Sequence, residues 1–401
     1  MTERKTIVYI GNFFFPNGNA SGSRVYGNGC IFRDLGYNTV FIGLDNNLEQ
    51  NSVLKSTYKY TENFVNYRLP YPKGVMGWLD YKRRFLEVKE MLEEINPSIV
   101  ILYGSPTISI FAKLLKTFCK LNNISFVMDV VDWLVIPKGN IIFRIVKYFD
   151  VNYLKRYIAN DADGIISISS YLKRYYIKKV NNVTVIPPIS EYKYFKKPNI
   201  NENNNIKKLI YIGNPFPYIQ KNLKSKYFKD RLDLAIDFFS ILLDVEFVFN
   251  IYGITLAQYL FVVPKQKDIL EKLNHKIIFH GEINNLEAKN NISQSDFSIL
   301  FRNSNKMTNS GFPTKVSESI SCGTPVITNS TSDLESYIIN GKNGFLVNLN
   351  SKSLTNQLKN ILSSTSTEIN TMKLYCFNSN LFSYTNYIKN TREFLKNLKI
   401  K

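Results

Sequence analysis

Short continuous apolar runs alternate along the chain with longer segments in which apolar residues return every three or four positions. In the first half the runs are Ile7–Ile10, Thr39–Leu44, Ile99–Tyr103, Ser125–Met128, Gly164–Ser167 and Val183–Ile186. Runs of this length without polar alternation suit strands buried on both faces, and helices between them imply a parallel sheet. Pro187 and Pro188 break the pattern, and the polar tract Asn199–Lys208 holds too little apolar surface to enter a core, so it reads as a linker. The alternation then restarts with Leu209–Ile212, Val245–Ile251, Lys276–Phe279, Phe297–Phe301, Val326–Thr328 and Phe345–Val347. The expected architecture is α/β, with two doubly wound, Rossmann-like domains at 1–195 and 209–376, joined by a linker at 196–208. The closing segment Phe382–Leu398 has apolar and aromatic residues near helical spacing, which predicts an amphipathic helix within 377–401. Ligands of doubly wound sheets bind beyond the carboxyl ends of the strands, so two such domains face to face would hold a ligand in their cleft.

A chain of 401 residues, 44% apolar and 21% charged, has material for two cores. The net charge of +19 raises nucleic acid or anionic membrane as partners. Residues 1–190 carry 24 basic against 15 acidic side chains and residues 191–401 carry 27 against 17, so the excess is spread and no nucleic-acid face is expected. Two stretches, Phe143–Tyr157 and Trp78–Phe85, interleave aromatics with cations. They read either as surfaces for anionic lipid at the inner face of a membrane or as buried aromatic stripes with a solvated basic side. Four scattered cysteines and two histidines form neither a zinc pattern nor a disulfide framework, which suggests a reduced, cytoplasmic protein without a metal. The start Met1–Lys5 has no signal-peptide pattern, and the apolar stretch Ile236–Pro264 is broken by Asp237, Asp244, Glu246 and Asn250, so no span is expected there.

The chemistry concentrates at Ser310–Pro325. Pro313 suits a first helical position and Gly323 the left-handed residue past a helix end, which predicts a short helix between them. The first amides of that helix, including those of Thr314 and Lys315, lack intrahelical acceptors and sit at the positive end of its dipole, a place for a diphosphate. The Thr314 hydroxyl and the Lys315 ammonium add donors. Glu318 lies on the same face one turn deeper, roughly 5 Å along the axis, where a carboxylate accepts ribose hydroxyls. The bland alternative is a capped surface helix with a solvated glutamate.

The run from Glu318 to Val326, followed by Gly341–Val347, resembles the donor-site signature of glycosyltransferase family 4, retaining enzymes of GT-B architecture. Pro16–Arg24, Asp163–Lys173, Val185–Pro188 and Tyr211–Asn214 fall in that family's order. The resemblance implies two domains facing across a cleft, an N-terminal acceptor domain, a C-terminal donor domain, and a last helix that crosses back onto the first domain. It also implies a UDP- or GDP-sugar donor, a glycan or lipid-linked acceptor, no cofactor beyond the donor, and metal-independent transfer with retention. Two departures stand out: Ser310 occupies the place of the first motif glutamate, and Asn214 that of an arginine that often holds the diphosphate. Lys229 and Arg231 match the family's lysine-bearing segment, and Arg302 and Lys306, at the end of the strand Phe297–Phe301, are further candidate cations.

The donor-binding set is thus Gly22, Asn214, Lys229, Arg231, Arg302, Lys306, Gly311, Phe312, Pro313, Thr314, Lys315 and Glu318, with Glu318, Lys229 and Asp132 as catalytic candidates. Gly22 permits close approach of a donor or is a plain turn glycine. Asp132 orients a sugar or caps the segment after it. Asp161-Ala-Asp163 matches a cation-binding D-x-D pattern but precedes a strand and is read as coincidence. The resulting expectation is a hexosyltransferase-type enzyme of bacterial capsule or lipopolysaccharide assembly. A non-catalytic subunit of the same fold that binds a partner enzyme, or a nucleotide-sugar epimerase, is the alternative.

Overall fold

The computed structural model describes every residue except 1–4, 17–19, 50–51, 58–63, 73–80, 104–108, 134–140, 191–197, 199, 201–205, 218–220, 222, 243 and 399–401. The middle of Pro16–Arg24, the start of Trp78–Phe85 and most of the tract Asn199–Lys208 therefore lie outside the described residues.

The chain forms two compact units, of which the first comprises residues 1–190, 310–312 and 383–401. Its strands are β1 (Thr6–Gly11), β2 (Asn38–Asp45), β3 (Leu54–Thr57), β4 (Phe64–Pro70), β5 (Ile99–Tyr103), β6 (Ser125–Val130), β7 (Gly164–Ser167) and β8 (Val183–Val185). They order as β3-β4-β2-β1-β5-β6-β7-β8, parallel except for the antiparallel pair β3 and β4. Between them run α1 (Ala20–Asp34), α2 (Tyr81–Ile95), α3 (Ser109–Leu121), α4 (Ile141–Tyr153) and α5 (Ser170–Tyr176). Every residue of β5 and β6 is buried, as the apolar runs Ile99–Tyr103 and Phe126–Met128 require, and with them the polar Ser125 and Asp129 of β6. The pair β3 and β4 was not among the expected strands: β4 carries Asn66, Arg68 and Pro70, yet Asn66 is fully buried.

The second unit comprises residues 191–309 and 313–382. Its strands β9 (Lys207–Ile212), β10 (Phe247–Tyr252), β11 (Ile277–Gly281), β12 (Phe297–Leu300), β13 (Val326–Thr328) and β14 (Gly344–Leu346) form a fully parallel sheet in the order β11-β10-β9-β12-β13-β14. The α-helices are α6 (Leu232–Ser240), α7 (Leu256–Val262), α8 (Lys267–Lys272), α9 (Asn285–Gln294), α10 (Lys306–Ser310), α11 (Thr314–Ser321), α12 (Leu354–Leu362) and α13 (Ser366–Asn378). Strand order runs outward one way from β9 and the other way from β12, so the two crossovers diverge and leave a crevice at the carboxyl ends of β9 and β12. The first sheet reverses in the same way between β1 and β5.

The end of the chain returns to the first unit. A 3₁₀ turn at Tyr384–Tyr387 leads into α14 (Ile388–Lys396), whose Phe394 and Leu395, with Leu398 beyond it, join the core that holds Ile7, Ile166 and Ile186. A Cβ on Gly164 would lie 2.7 Å from the Phe394 ring, so this docking requires glycine there. Asn182 adds a hydrogen bond from Nδ2 to the Phe394 carbonyl (2.9 Å).

Candidate functional site

Helix α11 starts one residue later than the sequence suggests. Pro313 is the N-cap (φ −74°, ψ 102°) and Thr314 the first helical residue, because the proline ring fits the φ of either position while its ψ here is extended. No side chain caps this terminus; the Val316 N–H turns back onto the Pro313 carbonyl (3.0 Å), and the donor capacity of the helix start rests with the Thr314 and Lys315 amides. The other end closes as the glycine predicts. Gly323 has φ +79°, its N–H bonds the Ile320 carbonyl (3.0 Å), and Thr324 N–H reaches back to the Ser319 carbonyl (2.9 Å). Val316 and Ile320 are fully buried and fix the helix on its sheet.

The helix places Lys315 at the crevice between β9 and β12, where an unforeseen residue, Asp230, organises the charges. The Asp230 carboxylate is wholly buried and accepts from Lys315 Nζ (2.6 Å), Arg302 Nε (2.8 Å) and the Tyr211 hydroxyl (2.9 Å). Burial alone would raise its pKa; Lys315 and Arg302 outweigh that and hold the carboxyl well below the usual carboxylate range. Burial, with Asp230 beside it, pushes the Tyr211 hydroxyl well up, which keeps it a donor. Gly213 (φ +121°) makes room for the lysine: a Cβ there would lie 2.6 Å from Lys315 Cε. Arg302 is pinned by a reciprocal pair in which its N–H donates to Asn329 Oδ1 (2.8 Å) and Asn329 Nδ2 donates to its carbonyl (2.9 Å). Two cations and one carboxylate leave this cluster a net single positive charge, preorganised for an anion.

Glu318 is half-buried one turn beyond Lys315. Burial raises its carboxyl pKa, opposed by Lys289 and Lys315. The other sequence-selected residues of this unit differ in their engagements. Arg231 is clamped by Asp233 (2.8 and 2.9 Å) and by Asn303 Oδ1 (2.7 Å). Asn214 Oδ1 accepts the Phe216 N–H (3.2 Å) and closes a local turn. Lys229 is exposed, with its backbone N–H on the Pro215 carbonyl (3.0 Å), and Lys306 is exposed at the first position of α10. Thr314 is half-buried and Pro313 buried.

The remaining candidates belong to the first unit. Ser310, Gly311 and Phe312 are buried there; Ser310 Oγ accepts the Trp133 N–H (3.0 Å) and its carbonyl accepts the Ser169 hydroxyl (2.5 Å). Asp132 is exposed just past β6. Gly22 lies in the first turn of α1, where a Cβ would fall 2.2 Å from the Phe14 carbonyl oxygen. Backbone packing by itself thus demands glycine at 22. Asp161 pairs with Lys116 (2.6 Å), and Asp163 Oδ2 accepts the Phe126 N–H (2.8 Å), so both acids of the D-x-D pattern have structural partners. A second buried network escaped the sequence. Arg24 pairs with Asp129 (2.7 Å) and donates to the Ile186 carbonyl (2.7 Å), while Tyr9 donates to Asp129 (2.5 Å). This ties α1 to β1, to β6 and to the Ile186–Pro187 backbone.

Comparison with known proteins bears on these findings. Residues 223–373, which include Asp230, Arg302, Lys315 and Glu318, match the family described as Glycosyl transferases group 1. No curated protein sequence matches the chain. Among solved structures, sucrose-phosphate synthase from Thermosynechococcus elongatus superposes with a TM-score of 0.69 at 13% identity, covering 98% of this chain and 99% of that one. A glycosyltransferase from Rickettsia africae gives 0.68 at 15% identity over 99% of both chains. HepE of Anabaena, in complex with UDP and glucose, gives 0.63 at 13% identity, covering 98% of this chain and 100% of that one. Residues 223–373, in the second unit apart from 310–312, thus match a glycosyl transferases group 1 domain, and the two Rossmann-like parallel-sheet domains have the fold of GT-B glycosyltransferase structures.

Proposed function

We propose that the protein is a retaining glycosyltransferase that moves a sugar from a UDP- or GDP-linked donor to a glycan or lipid-linked glycan acceptor. The observation that carries this reading is the uncapped start of α11, with Lys315 held by Asp230 at the strand-order reversal and Glu318 one turn deeper. In this reading the diphosphate takes the first amides of α11 with Thr314, Lys315 and Arg302, and Glu318 accepts the ribose hydroxyls. The bond from the anomeric carbon to the diphosphate breaks as the acceptor oxygen bonds to that carbon on the same face. The acceptor proton passes to a donor phosphate oxygen, so no protein nucleophile is consumed. Catalysis is then positioning of the two substrates and stabilisation of the departing diphosphate. The proposed setting is assembly of a bacterial surface polysaccharide, with the protein in the cytoplasm or at the inner membrane face.

UDP, found with HepE, is the first nucleotide to test. Thermal stability is measured with UDP, GDP, UDP-sugars and GDP-mannose for wild type and Glu318→Ala. A ligand that binds only the native state, at 100 times its Kd, adds about 2.7 kcal/mol. A shift from one nucleotide that Glu318→Ala abolishes supports the reading, and the absence of any shift defeats it. A second reading, a nucleotide-binding subunit without turnover, is favoured by Ser310 in place of a glutamate. Nucleotide binding with no release of UDP or GDP from the sugar donor, across glycan acceptors, would select it.

A further inference from the structure

Among its described side chains, helix α4 turns polar groups inward and apolar ones outward. Asp150 accepts the Ser109 N–H at the start of α3 (2.7 Å) and pairs with Lys147 (3.3 Å), so a polar side of the helix faces the protein. Around the helix from it, at spacing i, i+4, i+7 and i+8, Ile141, Ile145, Tyr148 and Phe149 are 73, 52, 50 and 67% exposed, with Val146 also exposed at the border. A contiguous apolar stripe turned to water marks a surface made for an apolar phase or partner.

The charges beside the stripe select among occupants. Arg144 is exposed along it, and Arg156, in the π-turn that continues α4, is exposed beside Tyr157, itself 60% exposed. The acids of the segment 141–161 are held by lysines: Asp150 by Lys147 and Asp161 by Lys116. The face is therefore apolar and aromatic with cations at its margin, on a chain of net charge +19. A second copy would bring the same cations against themselves. An anionic bilayer offers both the opposite charge and a hydrocarbon boundary in which tyrosine and phenylalanine rings are at home. We infer that the outward face of α4 docks the protein on an anionic lipid surface, with the helix lying in the interface. No helix among the described residues is long and apolar enough to cross a membrane. Docking stands apart from the donor site; only its use, to meet a lipid-linked acceptor, rests on the proposed transferase.

The test is sedimentation of the full chain with vesicles of phosphatidylcholine alone or mixed with phosphatidylglycerol. The forms compared are wild type, Ile145→Ser/Phe149→Ser, Arg144→Ser/Arg156→Ser, and a distant charge control, Lys265→Ser/Lys272→Ser. Wild type is expected to bind only the mixed vesicles. The apolar pair should lose at least about tenfold in partitioning and the arginine pair roughly fivefold for each charge removed, with the control close to wild type. The altered side chains are exposed, and an unchanged nucleotide-induced thermal shift in each variant shows that its fold and donor site persist. Absence of wild-type binding, equal binding to phosphatidylcholine, or full binding by the apolar pair overturns the inference. So does concentration-dependent self-association that the apolar pair abolishes while vesicle binding remains. A protein that binds vesicles by α4 but shifts with no nucleotide keeps this inference and defeats the donor reading instead.

Discussion

Replacing Asp230 by asparagine tests the electrostatic core of the candidate site. The substitution keeps the shape and an oxygen that can accept the Tyr211 hydroxyl, and it removes the one negative charge between Lys315 Nζ at 2.6 Å and Arg302 Nε at 2.8 Å. The arginine is 6% exposed and the lysine side chain 22%, so water compensates little for the first and partly for the second. Breaking a buried pair by removing one partner costs about 3–5 kcal/mol. For a domain of this size that lowers the melting temperature by about 6–20 °C. Both tryptophans, Trp78 and Trp133, lie in the first 190 residues, so calorimetry rather than fluorescence is the assay that sees the second unit. Lys315→Met alone should also destabilise, but in the Asp230→Asn background it should recover about 1 kcal/mol or more, because it removes a cation that has lost its counter-charge. Melting of Asp230→Asn within about 2 °C of wild type, or an equal cost of Lys315→Met in both backgrounds, would refute the reasoning.

The same carboxyl has a pH signature. Its folded pKa lies below the unfolded one, so the unfolded state binds more protons in acid. Its stability contribution is complete above about pH 4, is lost as pH falls through the folded value, and should vanish from the difference between wild type and Asp230→Asn in acid. Lys373 predicts the opposite end of the scale. It is fully buried, donates to the Ser293 and Ser295 carbonyls (3.1 and 2.7 Å), and burial pushes its pKa down to about 8. Between pH 8 and the unfolded value near 10.5 the unfolded state holds the extra proton. The urea unfolding free energy of wild type relative to Lys373→Met should therefore rise across that window, by about 3 kcal/mol in all; a flat difference contradicts the buried charge. Gly22→Ala places a methyl 2.2 Å from the Phe14 carbonyl and should cost about 1–3 kcal/mol in urea unfolding followed by tryptophan fluorescence, with nucleotide affinity unchanged. A loss of affinity without loss of stability would instead support a donor role for Gly22.

Particular residues show what could be read and why. Helix α11 was legible from Pro313 and Gly323 because caps obey local backbone rules, and the proline missed its position by one residue because its ring constrains φ and leaves ψ open. The strands β1, β2, β5, β6 and β7 follow from apolar runs. β4 does not, since its buried Asn66 looks like a surface residue until its neighbours are known. Asp230 lies between two cations of the sequence-selected set, Lys229 and Arg231, and nothing in its local sequence marks it. Its own partners, Arg302 and Lys315, are 72 and 85 residues away. Arg24 and Asp129 are 105 residues apart and were hidden for the same reason.

The sequence by itself determined two successions of buried strands and helices, and a short bounded helix with an anion-binding start, because periodicity and capping are settled within a few residues. Only the tertiary structure decided that β9 and β12 are neighbours, that Asp230 fixes Lys315 and Arg302 beside their carboxyl ends, and that the apolar stripe of α4 faces outward. Ion pairing, burial and exposure depend on which distant segments meet, and strand order and helix orientation set that encounter, which no local pattern encodes.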